Sequence, residues 1–174
     1  MQDKSGYFLI FGEGRNCTRA QMVTFLWRMA GKPGTTLTES PFSDITDPEA
    51  YYYEAVLWAA EKGITVGTKQ SDGTYLFKPK DPCLRRQAVM FLWRLAGKPH
   101  EDYSDVDEFP DVPQYNKNGK VNIWYEPVMW AAKHNITKGT NVSGTIIFNE
   151  GAVCLRRQMV TFLYRYENPD WDSE

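Results

Sequence analysis

The stretch at 17–33, "CTRAQMVTFLWRMAGKP", returns as "CLRRQAVMFLWRLAGKP" at 83–99 and as "CLRRQMVTFLYRYENPD" at 154–170. The cysteines that open the three copies are 66 and 71 residues apart (83 − 17 and 154 − 83). A phrase that recurs at a nearly constant spacing indicates a repeat protein, in which neighbouring units complete one another's core.

A second phrase alternates with the first: "YYYEAVLWAAEKGITVGT" at 51–68 and "IWYEPVMWAAKHNITKGT" at 123–140. Each copy follows a Phe-x-Asp-aliphatic tetrad that begins at Phe42 or Phe109; starting the second tetrad at Tyr103 would need a longer insertion. We name the second phrase helix A and the first phrase helix B, so the chain reads B, A-B, A-B. This order predicts one module over 1–174, composed of a half repeat (1–33) and two full repeats (34–99 and 100–174).

Helix B carries its own start and stop signals. Thr18 and Gln21 fit a capping box, while Leu84 and Leu155 replace the capping threonine in the other copies. Each cysteine precedes the cap, where a small buried apolar residue packs on the first turns, and this packing role is favoured over a metal or redox role. Glycines near the end of the first two copies suit a left-handed stop.

Helix A is predicted to begin at Pro48, capped by Asp47, in the first full repeat, and later in the second because of Pro127. The segments 67–77 and 139–148 are predicted to be ordered loops with short strands, and Asn118-Gly119 marks a tight hairpin turn. The fold class is therefore mainly α, with five helices stacked as helix pairs.

Composition excludes several classes of protein. The net charge of −2 offers no basic field for nucleic acid or an anionic membrane surface. The apolar runs are too short to cross a bilayer, and the start of the chain lacks the pattern of a signal peptide. The three cysteines match no zinc spacing, the aspartate clusters lack the spacing of a calcium loop, and the two histidines belong to no nucleophile motif. We therefore predict no enzyme, no cofactor and no metal.

Three arginines suggest an anion site. Arg19, Arg85 and Arg156 each fall in the first turn of a helix B, where free N–H groups and the helix dipole favour a negative ligand. The alternative is that each arginine pairs with a carboxylate such as Asp44 or Asp111. Aromatic residues such as Trp58 could stack on sugar rings, although aromatics at helical spacing also suit a core.

The combination of motifs resembles the S-layer homology domain: the Phe-x-Asp tetrad, the Gly-Ile-Thr-x-Gly segment at 63–67, and Thr-Arg-Ala-Gln at 18–21. The resemblance implies helix-pair repeats packed as a pseudo-threefold helical bundle. It also implies a non-catalytic anchoring module at the bacterial cell surface, part of a larger secreted protein, that binds anionic and often pyruvylated secondary cell-wall polysaccharide in grooves between repeats.

The chain departs from this family in its glutamines, its doubled arginines and its half repeat. These changes support the alternative of a structural or protein-interaction module that has lost the sugar, and a homodimer could complete the missing half. The predicted ligand contacts are the motif arginines and their doubled neighbours, the motif glutamines, the tetrad aspartates, the motif glycines and the helix A tryptophans: Arg19, Arg85, Arg156, Arg86, Arg157, Gln21, Gln87, Gln158, Asp44, Asp111, Gly67, Gly139, Trp58 and Trp130.

Overall fold

The computed structural model describes residues 11–172, which contain five α-helices and two small antiparallel sheets. The expectations for residues 1–10 lie outside this range. In chain order the elements are α1 (Arg19–Met29), α2 (Tyr53–Glu61), β1 (Thr68–Lys69), β2 (Tyr75–Leu76), α3 (Arg85–Leu95), α4 (Tyr125–Lys133), β3 (Thr140–Val142), β4 (Thr145–Ile147) and α5 (Arg156–Glu167). The predicted number of helices is confirmed, and each predicted ordered loop contains a two-stranded hairpin.

The three B helices, α1, α3 and α5, begin where their caps predict. The Gln21 backbone N–H donates to the Thr18 hydroxyl at 3.2 Å, and the Thr18 N–H donates to the Gln21 side chain at 3.1 Å. In α3 only the second half of this exchange is present, because Leu84 has no side-chain acceptor, and its N–H donates to Gln87 at 2.9 Å. The predicted glycine stop is also confirmed, since Gly31 has a φ of 83°.

The predicted starts of the two A helices, α2 and α4, are wrong. Asp47 caps a turn by accepting the Glu49 N–H at 3.0 Å, and α2 begins only at Tyr53 after further turns. Helix α4 begins at the equivalent Tyr125, so Pro127 does not delay it. Pro127 is the third residue of that helix, where no intrahelical partner for an N–H exists, so proline is tolerated there.

The hairpins have simple registers. In the first, Thr68 pairs with Leu76, and in the second, Thr140 pairs with Ile147. The predicted tight turn at Asn118-Gly119 is confirmed by an isolated bridge between Tyr115 and Val121 and by a φ of 71° at Gly119.

The three cysteines are joined by a closed ring of backbone hydrogen bonds. The Cys17 N–H donates to the Cys154 carbonyl at 2.9 Å, the Cys83 N–H to the Cys17 carbonyl at 2.8 Å, and the Cys154 N–H to the Cys83 carbonyl at 2.8 Å. All three side chains are fully buried, and none forms a disulfide. The three B helices therefore start from one shared point, although they are far apart in sequence.

The helices pack in pairs that cross the repeat boundaries of the sequence. Helix α2 packs on the preceding α1 and α4 on the preceding α3, while α3 also touches α1 and α5. Each A helix thus covers the B helix before it, and in the ring of three the B helix before α1 is α5. Within residues 11–172 no further helix A follows to cover α5, and there Val160 is 40% exposed while its equivalents Val23 and Val89 are fully buried.

The core is continuous across the repeats and includes the helix A tryptophans and both tetrad phenylalanines, Phe42 and Phe109. Burial of Phe109 confirms the shorter of the two registers for the second tetrad. Within residues 11–172, the helices lack the length and apolar character that a membrane span needs.

Candidate functional site

The motif arginines lie at the first position of the B helices, as predicted, but two of them are buried. Arg19 is 8% exposed and Arg85 is 4% exposed. The Arg19 Nε donates to the Phe77 carbonyl at 2.8 Å, and the Arg85 Nε donates to the Phe148 carbonyl at 2.9 Å. Each accepting carbonyl lies just after the next hairpin in the chain, so each arginine joins a B helix to the following repeat.

Phenylalanine rings flank each arginine. The guanidinium carbon of Arg19 lies 5.0 Å from the ring centre of Phe77 and 5.4 Å from that of Phe91. Equivalent pairs flank the other two arginines, with Phe148 and Phe162 beside Arg85 and Phe11 and Phe25 beside Arg156. Contacts of this kind stabilise a cation over an aromatic face.

Burial lowers the pKa of Arg19 and of Arg85, because a charged group is less favourable away from water. Cys83, Asp81 and Asp44 act in the opposite direction on Arg19. An arginine stays protonated under these conditions, so both sites hold a fixed positive charge.

Arg156 differs from the other two. Its side chain is only half-buried, and its Nε has no solvent contact and no hydrogen-bond partner within residues 11–172. A buried donor without a partner typically costs about 1–3 kcal/mol. Arg156 is therefore the motif arginine whose donors are least used by the protein itself.

The tetrad aspartates accept hydrogen bonds from the loops whose carbonyl groups bind the motif arginines. The Asp44 carboxylate accepts the N–H groups of Phe77 and Lys78 at 2.8 and 2.7 Å. Asp111 accepts three equivalent N–H groups at 148–150, at 2.8, 2.7 and 3.2 Å. Neither aspartate forms an ion pair with a motif arginine in the described part of the chain, so the alternative pairing is not present. Ligand contact by these aspartates stays a prediction.

A groove opens between the first B helix and the next repeat. It has a volume of about 320 Å³. Its lining combines the motif arginine of one repeat with loop and helix residues of its neighbours: Arg19, Thr68, Lys78, Asp81, Pro82, Leu84, Gln87 and Val153. Two cations and one carboxylate face this space, so it suits an anion that also carries hydroxyl groups.

The motif glutamines cap their helices. Gln21, Gln87 and Gln158 each accept a backbone N–H through Oε1, at 3.1, 2.9 and 3.0 Å. Within residues 11–172 their amide NH₂ groups make no hydrogen bond, so a donor remains at each position. Gln87 lines the groove.

The doubled arginines have different environments. Arg86 lies 3.4 Å from the Glu150 carboxylate and stacks over Trp124, with its guanidinium carbon 5.1 Å from the ring centre. Arg157 is exposed. Arg86 is thus engaged within the protein, and Arg157 is the freer of the two.

The helix A tryptophans require a correction. Trp58 is 2% exposed and Trp130 is 3% exposed, and both belong to the continuous core. Neither ring has a face open to a sugar, because helical spacing placed both on the buried side of helix A.

The motif glycines have a backbone role. Gly67 has a φ of 66°, and an added Cβ would lie 2.6 Å from the Phe42 ring and 2.9 Å from the Leu76 carbonyl oxygen. Gly139 has the same environment beside Phe109. Only glycine fits this close approach at a positive φ, so these glycines place the hairpin against the tetrad.

Sequence reasoning did not find Lys78, Thr68 or Asp81 in the groove. Lys78 follows the phenylalanine that repeats before each cysteine, and this position is Gly12 and Asn149 in the other copies. Lys78, Gly12 and Asn149 all have a φ near 60°, which glycine and asparagine adopt more easily than lysine. A lysine at a position that favours glycine or asparagine was the available signal.

Residues 41–89 match the family model of the S-layer homology domain. The resemblance is thereby confirmed for this segment, which includes Asp44, Gly67, Lys78 and Arg85. Domains of this family are non-catalytic modules that anchor proteins at the bacterial cell wall by binding secondary cell-wall polymers. No curated protein matches the chain.

Proposed function

We propose that this chain anchors a larger secreted protein to the bacterial cell wall by binding an anionic secondary cell-wall polysaccharide, with a pyruvylated polymer as the first candidate. The module performs no catalysis in this role. Its ligand is held by charge and hydrogen bonding in the grooves between repeats.

The observation that carries the proposal is the shared groove of Arg19 and Lys78. The two cations come from different repeats and line one space together with the amide-bearing Gln87. A guanidinium and an ammonium suit a carboxylate, and the amide and the Thr68 hydroxyl suit sugar hydroxyl groups. The first N–H groups of α1 already donate within the protein, to the carbonyls of Asp81 and Pro79 and to Thr18, so only the positive end of the helix dipole adds to the attraction for an anion.

We infer that the three B helices form the central bundle of a pseudo-threefold prism with three such grooves. The closed ring at the cysteines supports this inference, because its three hydrogen bonds are equivalent. The grooves differ in charge, since Asn149 and Gly12 replace Lys78 in the other two. Lys78 is thus a cation specific to the groove at Arg19, whereas the other two copies have Arg86 or Arg157 at the position of Ala20.

The second candidate is a structural or protein-interaction module. Burial of Arg19 and Arg85, and the use of their Nε groups by backbone carbonyls, favour it. A homodimer in which a second copy covers the exposed face of α5 belongs to this candidate as well, and sedimentation of the full chain measures it.

Cosedimentation with purified bacterial cell walls tests the proposal. We expect the chain to bind walls that retain their secondary polymer and to lose binding when the polymer is extracted. Equal binding to both wall preparations, or no binding to either, would favour the second candidate.

The variant Lys78→Asn tests the groove. Asparagine occupies the equivalent position 149 at nearly the same φ, so this change removes the charge and leaves the backbone undisturbed. We expect binding to polymer-bearing walls to weaken by about tenfold, which corresponds to about 1.4 kcal/mol. Lys80→Asn, in the same exposed loop but outside the groove lining, is the matched control and should bind like the parent.

A further inference from the structure

The second full repeat contains a pocket that the proposed polysaccharide site does not use. It has a volume of about 620 Å³ and lies between the loop at 100–108, the hairpin insertion at 113–123 and the start of α4. The hairpin supplies the residues by which the second repeat exceeds the first. The pocket is therefore a feature of one repeat and not of the repeat fold in general.

The pocket wall is acidic. Four carboxylates line it, Glu101, Asp102, Glu108 and Glu126, and no lysine or arginine is among the lining residues. The lysines of the hairpin tip, Lys117 and Lys120, are exposed and do not line the pocket. Lys133 does not line it either, but its ammonium lies at the edge, where it donates to the Asp102 carbonyl and pairs with Asp105. The one basic side chain in the wall is His100, which contacts Glu126.

Hydrogen bonds fix the carboxylates; those at Glu101 and Glu108 leave acceptor capacity, whereas Ser104 donates to both oxygens of Asp102. The Tyr125 hydroxyl donates to Glu108 at 2.9 Å, and His134 contacts Glu101 at 2.9 Å. Each of these contacts uses one oxygen of the carboxylate, so the second oxygen can accept from a ligand. The lining rings of Tyr103 and Tyr125 add aromatic faces, which attract cations.

The pKa values of Tyr103 and Tyr125 are raised, in agreement with the negative charge of the pocket wall. Burial, followed by the Glu126 and Glu101 charges, raises the pKa of Tyr103 to about 12. Burial and Glu108 raise the pKa of Tyr125 to about 12. Both phenols therefore stay neutral at physiological pH and can donate or accept hydrogen bonds.

An apolar lip borders the acidic wall. Val121 and Ile123 line the pocket, and both are 67% exposed. Tyr115, on the opposite strand of the hairpin, is 55% exposed. Apolar side chains left open to water beside a ring of charge are typical of a protein-binding surface.

We propose that this pocket binds a lysine or arginine side chain presented on an apolar stretch of a partner protein. The acidic wall receives the cationic end and the tyrosine rings flank it, while the apolar residues of the partner cover Val121 and Ile123. This surface carries the opposite charge from the groove at Arg19, so one module engages the cell-wall polymer at one place and a basic protein segment at another.

Calorimetric titration with an acetylated and amidated Ile-Arg-Ile-Lys-Ile peptide tests the proposal on the full chain. We expect the peptide to bind the parent, and Glu108→Gln/Glu126→Gln to weaken binding by about tenfold. Glutamine retains acceptors for Tyr125 and His100, so the fold should be preserved. The control Glu39→Gln/Glu49→Gln makes the same change in net charge at exposed positions outside the pocket and should bind like the parent.

Ile123→Ser tests the lip separately from the charge and should also weaken binding, by about threefold or more. A peptide with glutamine at both basic positions should not bind. The proposal is overturned if the basic peptide fails to bind the parent. It is also overturned if both double variants bind the peptide equally, since that would indicate attraction to net charge alone.

Discussion

At the scale of single residues, one carboxylate in each full repeat organises an arginine that it does not touch. Asp44 holds the N–H groups of Phe77 and Lys78, and the Phe77 carbonyl holds the Arg19 side chain. The aspartate therefore acts on the groove through the backbone of one loop. The sequence predicted a role for Asp44 but assigned it to the ligand, because a carboxylate that accepts backbone N–H groups from a distant loop leaves no local pattern.

We expect Asp44→Ala to lower the free energy of unfolding by about 2–4 kcal/mol, since two backbone N–H groups would lose a charged acceptor. Urea denaturation measures this change. The control is Asp47→Ala, which removes an exposed carboxylate that holds a single turn and should cost less than about 1 kcal/mol. Equal losses in the two variants would show that the loop does not depend on Asp44.

The cysteines allow a prediction about pH. Burial raises the pKa of Cys17 to about 11 and that of Cys154 to about 12, against an ordinary value of 9.0, while the nearby Arg156 and Arg85 oppose the shifts. The unfolded chain thus loses these protons at lower pH than the folded protein does. The stability that the neutral thiols contribute is fully present below pH 9 and falls as the pH rises toward 11–12.

We therefore expect a bulky maleimide to label the native protein slowly at pH 8 and all three thiols rapidly in denaturant. We also expect the free energy of unfolding to fall less steeply above pH 9 in Cys17→Ala than in the parent. Rapid labelling of the native protein would contradict the buried position of the cysteines.

At the scale of elements, a glycine in each full repeat allows the hairpin to lie close against the tetrad phenylalanine. Gly67→Ala should lower the free energy of unfolding by more than about 2 kcal/mol, because it combines a positive φ with contact against Phe42 and the Leu76 carbonyl. Gly34→Ala is the control, since an added Cβ there meets nothing within 4 Å and the φ is not positive. Thermal melting of both variants makes the comparison, and an unchanged midpoint for Gly67→Ala would be inconsistent with this contact.

The two kinds of helix differed in how well the sequence predicted them. In α1 and α3, helix B begins at its predicted cap and ends just before its glycine, because both signals act within a few residues. Helix A begins six residues after Asp47, since Asp47 and Pro48 form a separate turn. The same two residue types are typical of both a turn and a helix start, so the sequence did not distinguish them. In the site, the first-turn position of Arg19 was predictable from its cap, whereas its burial depends on Phe77, which is 58 residues away.

At the scale of the whole molecule, each helix A packs on the helix B of the preceding repeat and not on the helix B of its own repeat. The order B, A-B, A-B predicted that α1 has no helix A of its own to cover it, but α1 is covered by α2, and within residues 11–172 the exposed face lies on α5. Tertiary packing determines which helix B each helix A covers, and no local sequence pattern predicts it.

Deletion of residues 1–33 should unfold or aggregate the chain, although two full repeats remain. It removes α1, whose Met22, Val23 and Leu26 are fully buried, and each large side chain contributes about 1.5–3 kcal/mol on burial. It also opens the cysteine ring at two of its three bonds. Circular dichroism and sedimentation measure the outcome; a monomeric truncated chain with the melting temperature of the parent would show that the repeats fold independently.

The closed ring also has a consequence for the timing of synthesis. The N–H of Cys17 can form its hydrogen bond only after the carbonyl of Cys154 has been synthesised, 137 residues later (154 − 17). Helix α1 therefore leaves the ribosome before this partner exists, and α1 and α2 must persist as an incomplete pair until α5 emerges. Contacts so distant in sequence slow folding. A nascent chain halted before residue 154 should thus stay sensitive to protease, and one released beyond α5 should become resistant in a single late step.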